Sequence, residues 1–126
     1  ASLSYVENGI TDTLEEVPKE KLINSVPLYT RVWTEKDGKT TSKAYGITAA
    51  QNWVEENNVK LTWQDNIGQY DGETENENGT QKIWMEETKS LGLKKDLVNK
   101  YDLAGIACWK LGFETADIWA VINDVK

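Results

Sequence analysis

Tyr101-Asp-Leu-Ala-Gly-Ile-Ala-Cys-Trp-Lys-Leu-Gly-Phe-Glu114 is the stretch around which this chain of 126 residues is organised. Leu103 to Cys108 is a short apolar run without polar alternation, the pattern of a strand buried on both faces. Trp109 stands where that run ends. Lys110, Gly112 and Glu114 follow, and Thr115-Ala-Asp-Ile-Trp-Ala-Val-Ile122 predicts a helix capped by Thr115, with Trp119 at a core-facing spacing. A buried strand that ends in an aromatic and a Gly-containing loop, then enters a helix, is how an α/β barrel presents a side chain at its functional rim. An ordinary core tryptophan has the same local pattern, so spacing alone leaves both roles open for Trp109.

Immediately upstream, Thr88 to Lys100 predicts a helix with Leu91, Leu93, Leu97 and Val98 on its apolar side. Leu3 to Val17 predicts another, with Val6, Ile10, Leu14 and Val17 at helical spacing and Pro18 as its stop. Leu22-Ile-Asn-Ser-Val-Pro-Leu-Tyr-Thr-Arg-Val-Trp33 reads as a second buried strand, although Pro27 within it fits an edge position better. Thr34 to Thr41 is a polar turn around Asp37-Gly38, and Ser42 to Asn58 contains a helix with Ile47, Ala50, Trp53 and Val54 on one face. Val59–Trp63, Gln69–Glu73 and Gln81–Glu86 alternate as strands of an antiparallel meander. The acidic stretch Glu73 to Glu77 lacks the ligand spacing of an EF-hand and reads as a solvated turn.

Composition narrows the classes of function. With 14 Lys and Arg against 21 Asp and Glu, the net charge is -7, which argues against a nucleic-acid partner that needs clustered basic charge. No run approaches the ~20 apolar residues of a membrane span, and no signal segment is visible, though Ala1-Ser-Leu-Ser does not read as a natural start. The single cysteine, Cys108, cannot form an intrachain disulfide and sits in an apolar run as packing. With no histidine in the sequence, a Ser-His-Asp triad, a Cys-His dyad and a His-ligated zinc site are excluded. Six tryptophans and five tyrosines against one phenylalanine is the unusual balance. Flat amphipathic aromatics suit sugar rings, and they equally suit a half-buried sheet.

Leu22–Trp33 and Leu103–Cys108 look like parallel strands that cannot bury themselves, separated by a compact α+β lobe. The order Lys21-Leu-Ile-Asn-Ser-Val-Pro-Leu-Tyr-Thr-Arg-Val-Trp33, inserted lobe, Lys82-Ile-Trp-Met-Glu-Glu-Thr-Lys-Ser-Leu91, Tyr101–Gly112 closely resembles the C-terminal portion of a glycoside hydrolase family 18 domain. That family is the chitinase-like one, and the likeness is to bacterial envelope or spore-associated members. It covers nearly the whole chain. The resemblance implies an α/β fold: residues 1–126 as the C-terminal part of a (β/α)8 TIM barrel, with strands seven and eight and their helices. The α+β insertion subdomain between those strands falls at residues 34–86.

The same resemblance assigns Pro27, Tyr29 and Arg31 to the Pro-x-Tyr-x-Arg segment of strand seven. It assigns Trp109 to the tryptophan that floors the sugar subsite beside the cleaved bond, with Trp33 a further substrate-binding candidate. The implied partner is a polysaccharide or oligosaccharide of N-acetylhexosamines, and the implied location is extracellular, in the cell envelope or in the spore. No cofactor and no metal is implied. The catalytic signature Asp-x-x-Asp-x-Asp-x-Glu and the Met-x-Tyr-Asp segment do not occur in this sequence. The family's substrate-assisted mechanism needs the final glutamate of that signature as its acid. The expectation is therefore a segment of a glycosidase acting on chitin-like or peptidoglycan chains, inactive alone, with no assigned catalytic residue. A non-catalytic, chitinase-like carbohydrate-binding protein is the alternative. Without the N-terminal half of the barrel, the exposed strand edges predict a homo-oligomer.

Overall fold

The computed structural model describes residues 1–126. Its elements are α1 (Leu3–Leu14), a 3-10 turn at Lys19–Lys21, β1 (Ile23–Pro27), β2 (Tyr29–Lys36), β3 (Lys39–Gly46), α2 (Ile47–Glu56), β4 (Thr62–Gln64), β5 (Gln69–Asn76), β6 (Gly79–Met85), α3 (Thr88–Lys100), β7 (Gly105–Trp109) and α4 (Ile118–Ile122). Two sheets result. β1 and β7 form a parallel pair, and β3-β2-β6-β5-β4 form a five-stranded antiparallel sheet.

The parallel pairing of the two predicted strands is present, from Ile23 opposite Gly105 to Pro27 opposite Trp109. The run Leu22–Trp33 is not one strand, however. β1 ends at Pro27. Leu28, fully buried, donates its N–H to the Trp109 carbonyl at 2.6 Å, and the chain then turns into the other sheet. Tyr29, Arg31 and Trp33 therefore belong to β2. Thr34, where the inserted lobe was expected to begin, falls inside that strand. Nor is Leu103–Cys108 buried on both faces: the strand starts at Gly105, and Ala107 and Trp109 are exposed.

The turn expected across Thr34–Thr41 is a tight hairpin. Only Asp37 and Gly38 lie outside the strands, at φ 51° and 72°, the left-handed pair that matches the twist of an antiparallel hairpin. The following strand β3, Lys39-Thr-Thr-Ser-Lys-Ala-Tyr-Gly46, was not anticipated, because an edge strand with little burial carries no apolar alternation. Likewise β5 extends to Asn76 through the acidic stretch expected to be a turn, leaving only Glu77 and Asn78 as the connection.

One face of the antiparallel sheet is buried. Val32, Ile83 and Met85 pack with Ile47, Ala50 and Trp53 of α2 and with Ile118 and Ile122 of α4. Burying an Ile or Leu side chain of this kind contributes about 1.5–3 kcal/mol. α3 begins with a capping box: Glu87 accepts from the Ser90 and Lys89 backbone N–H groups, and Ser90 Oγ accepts from the Glu87 N–H. Its Leu97 and Val98 meet Ile10 of α1 and Leu103 in a second, smaller cluster. α4 is shorter than expected and Thr115 does not cap it by side chain. Trp119 is 37 % exposed, so the helix buries Ile118 and Ile122 and leaves Trp119 at the surface.

Candidate functional site

Side chains alternate across a strand, so β2 sends Thr30 and Val32 into the core and Tyr29, Arg31 and Trp33 to the opposite face. The three sequence-predicted residues of this strand thus share one wall. They line a concavity of about 560 Å³ together with Gln69, Trp84 and Glu86. Register explains the grouping. Trp33 is opposite Lys82 on β6, which places Trp84 two residues further along that strand on the same face. Trp84 in turn is opposite Asp71 of β5. Trp33 and Trp84 are each 40 % exposed, a large share for indoles on a sheet.

Trp109 stands beside this concavity and does not line it. It is the last residue of β7, opposite Pro27, which does line the concavity. Its indole is 64 % exposed, so it is not an ordinary core residue. The Trp109–Lys110 peptide is cis. The loop beyond is held by Glu114, whose carboxylate accepts the Gly112 N–H at 2.7 Å, and by the Ile47 N–H donating to the Phe113 carbonyl at 2.8 Å. Arg31 Nη1 donates to Ser42 Oγ on β3 at 2.7 Å, which orients the guanidinium along the sheet.

The polar end of the concavity is a buried network that residue spacing did not single out as a unit. Glu86 is 3 % exposed and forms an ion pair with Lys94, itself 2 % exposed. The same carboxylate accepts from Gln69 Nε2 at 2.5 Å and from Ser90 Oγ at 2.9 Å. Its backbone N–H donates to Thr30 Oγ1 at 2.8 Å. Glu86 thus ties β6, β5, β2 and α3 together behind the wall. With its lone pairs occupied and a lysine ammonium against it, the carboxylate is a scaffold more than a proton donor. The detectable signal was the i, i+4 and i, i+8 spacing of Glu86, Ser90 and Lys94 entering a helix; Gln69 is brought in only by sheet register.

Cys108 lies on the covered side of β7 and packs against the main core. Burial raises its thiol pKa above the ordinary value, and the charge of Glu114 adds to this. It stays protonated at neutral pH and is a poor nucleophile. No group of His, Cys, Asp and Glu side chains has the geometry to hold a metal ion.

No family model matches the chain. Among curated proteins, it is 27 % identical over 122 residues to the cortical fragment-lytic enzyme of Bacillus subtilis, covering 94 % of this chain and 28 % of that protein. Among solved structures, it superposes on a Chromobacterium violaceum chitinase with a TM-score of 0.89 at 22 % identity, over 98 % of this chain and 38 % of the other. The spore cortex-lytic enzyme SleL of Bacillus megaterium gives 0.86 at 26 % identity, over 98 % and 30 %. The chain thus spans about a third of the lengths it matches, and the expected resemblance to chitinase-like glycosidases holds.

Proposed function

We propose that this chain, a relative of spore cortex-lytic enzymes, glycosylases and chitinases of the family 18 type, is the C-terminal segment of such a glycosidase. In this reading β1 and β7 are strands seven and eight of a TIM barrel, and residues 34–86 are its insertion subdomain. The parent hydrolyses β-1,4-linked N-acetylhexosamine chains, chitin-like or peptidoglycan, outside the cell or in the envelope or spore. The segment supplies the cleft floor and one wall, and the catalytic acid comes from elsewhere in the parent. No helix here is long and apolar enough to cross a membrane.

One observation carries the reading. Tyr29, Arg31 and Trp33 share a concave wall, and an exposed Trp109 stands at its edge across Pro27. An indole plate accepts the C–H face of a sugar ring, while phenol and guanidinium groups hydrogen-bond hydroxyl and acetamido oxygens. In a substrate-assisted cleavage the acetamido oxygen attacks the anomeric carbon. These groups would hold the distorted ring in which that attack is possible.

Chitotriose titrated into the chain should shift the Trp109 indole N–H resonance with millimolar affinity, and the chain should release no product from it. Trp109→Ala should abolish the chitotriose-induced shifts of the backbone amide resonances around the hollow. In the full-length parent, the same change should lower kcat more than it raises KM, because the plate favours the distorted ring. Turnover by the chain alone, lost on replacing one of its carboxylates, would overturn the assignment. So would chitotriose binding that ignores Trp109.

A further inference from the structure

Most of the Trp109 side chain faces solvent, so packing of the ring alone does not fix its direction and the backbone on either side must. On one side the Trp109 carbonyl accepts the Leu28 N–H at 2.6 Å. On the other the chain leaves through Lys110, Leu111 and Gly112, all exposed, and meets the core again at Phe113, the one phenylalanine of the sequence. Phe113 is half-buried against the main core, and its carbonyl accepts the Ile47 N–H at 2.8 Å. Its own N–H donates to the Lys110 carbonyl at 3.1 Å, closing a turn directly after Trp109. The Lys110 ammonium lies 4.8 Å from the centre of the Phe113 ring, which adds a weak cation–π attraction across that turn.

The seat of Phe113 is Gly46, the last residue of β3. A Cβ there would stand 3.2 Å from Phe113 Cδ1 and 3.3 Å from the Phe113 Cα and Cβ. The Gly46 backbone is extended, at φ -60° and ψ 163°, a conformation open to any residue, so what glycine supplies is room. Gly46 is also opposite Tyr29 in the β2–β3 ladder. One glycine thus joins Tyr29 of the hollow's wall to the loop that follows Trp109 at its edge.

We propose that Phe113 is a positioning residue for Trp109. Seated on Gly46, it anchors the loop 110–114 to the antiparallel sheet and holds the indole at the edge of the hollow in the orientation that receives a sugar ring. The proposal rests on the glycan-binding reading above and deepens it. Glu114 does not do the same work, because its carboxylate reaches only the Gly112 N–H inside the loop. It shapes the loop, and Phe113 ties the loop to the body of the protein. An unanchored loop populates the receiving orientation only part of the time, and the apparent affinity falls by that fraction.

The test reads Trp109 twice on the intact chain, first without ligand. Phe113→Ala should lower the {1H}–15N NOE of the Trp109 indole and leave those of the other tryptophans unchanged. Chitotriose should then bind about threefold more weakly, as for an orientation populated roughly a third of the time. Phe113→Leu, which keeps an apolar plug, should restore most of both. Gly46→Ala fills the seat while leaving the ring intact; it should reproduce part of both losses, and it decides the matter where Phe113→Ala does not fold. If the variants lower the urea midpoint but leave the Trp109 indole as ordered and chitotriose bound as tightly as before, Phe113 is packing alone and the proposal falls. If Trp109 loosens as expected but the unsubstituted chain binds no chitotriose, the glycan-binding reading falls and the anchoring of the loop by Phe113 stands.

Discussion

At the scale of single residues, the buried pair of Glu86 and Lys94 is the feature whose removal the fold should feel most. Both side chains are almost wholly enclosed, and Gln69 and Ser90 complete the hydrogen bonding around the carboxylate. Removing one charge leaves the other unpaired in a low-dielectric site, at a cost of about 3–5 kcal/mol. Glu86→Gln should therefore lower the urea midpoint sharply, and Lys94→Met likewise. The double variant should recover much of either loss, since a well-packed neutral pair avoids the desolvation cost. Additive losses in the double variant would show that packing, not charge pairing, governs the site. The residue scale is also where reading the chain in one dimension was most limited. Tyr29 and Arg31 were identifiable from a motif, with Trp33 two residues beyond it a further candidate, but Trp84 was not, although it joins them in the same hollow. Nothing in the local run Lys82-Ile-Trp-Met-Glu86 says which face of β6 is covered.

At the scale of elements, two surface ion pairs tie the ends of the chain segments together. Glu7 on α1 accepts from Lys100 at 2.6 Å and from the Tyr101 hydroxyl at 2.7 Å at the end of α3. These hydrogen bonds, that of Lys100 first, hold the Glu7 carboxyl below its ordinary pKa. Asp102 is lowered in the same way by its bond with Lys19. A carboxylate lowered on folding adds stability above its unfolded pKa and loses it as pH falls through the folded value. The contribution is thus complete at neutral pH and fades below the ordinary carboxylate range of about 4. Both carboxylates lie at the surface, so the effect is small and salt-sensitive. Glu7→Gln should lower the thermal midpoint slightly at pH 7 and match the unsubstituted chain at pH 3. An equal gap at both pH values would mean that the pair contributes nothing through its charge. The helices α2 and α3 were legible because their apolar spacing and end signals agree, whereas β3 was hidden by being a polar edge strand.

At the scale of the whole molecule, the parallel pair β1 and β7 is the exposed seam. Two parallel strands make a poor sheet without neighbours, and each here has one edge unpaired. Ile23 on β1 is 55 % exposed and Leu111 beyond β7 is 77 % exposed. Such edges recruit partners, so the chain by itself should form a homodimer or a larger assembly. Light scattering across a concentration series measures this. A monomer persisting at high concentration would count against it.

The sequence by itself determined the helices with clear caps and stripes, the parallel partnership of the two apolar runs, the lack of histidine chemistry and the likeness to chitinase-type glycosidases. These are properties of local pattern and of residue order. Only the tertiary structure decided that Leu22–Trp33 breaks at Leu28, that Trp109 is exposed beside the hollow and not within it, and that Trp84, Gln69 and Glu86 join the wall. The physical reason is that strand residues alternate faces, and which face is covered depends on the partner packed there. For β2, β5 and β6 that partner comes from segments as distant as α2 and α4, beyond the reach of any local window.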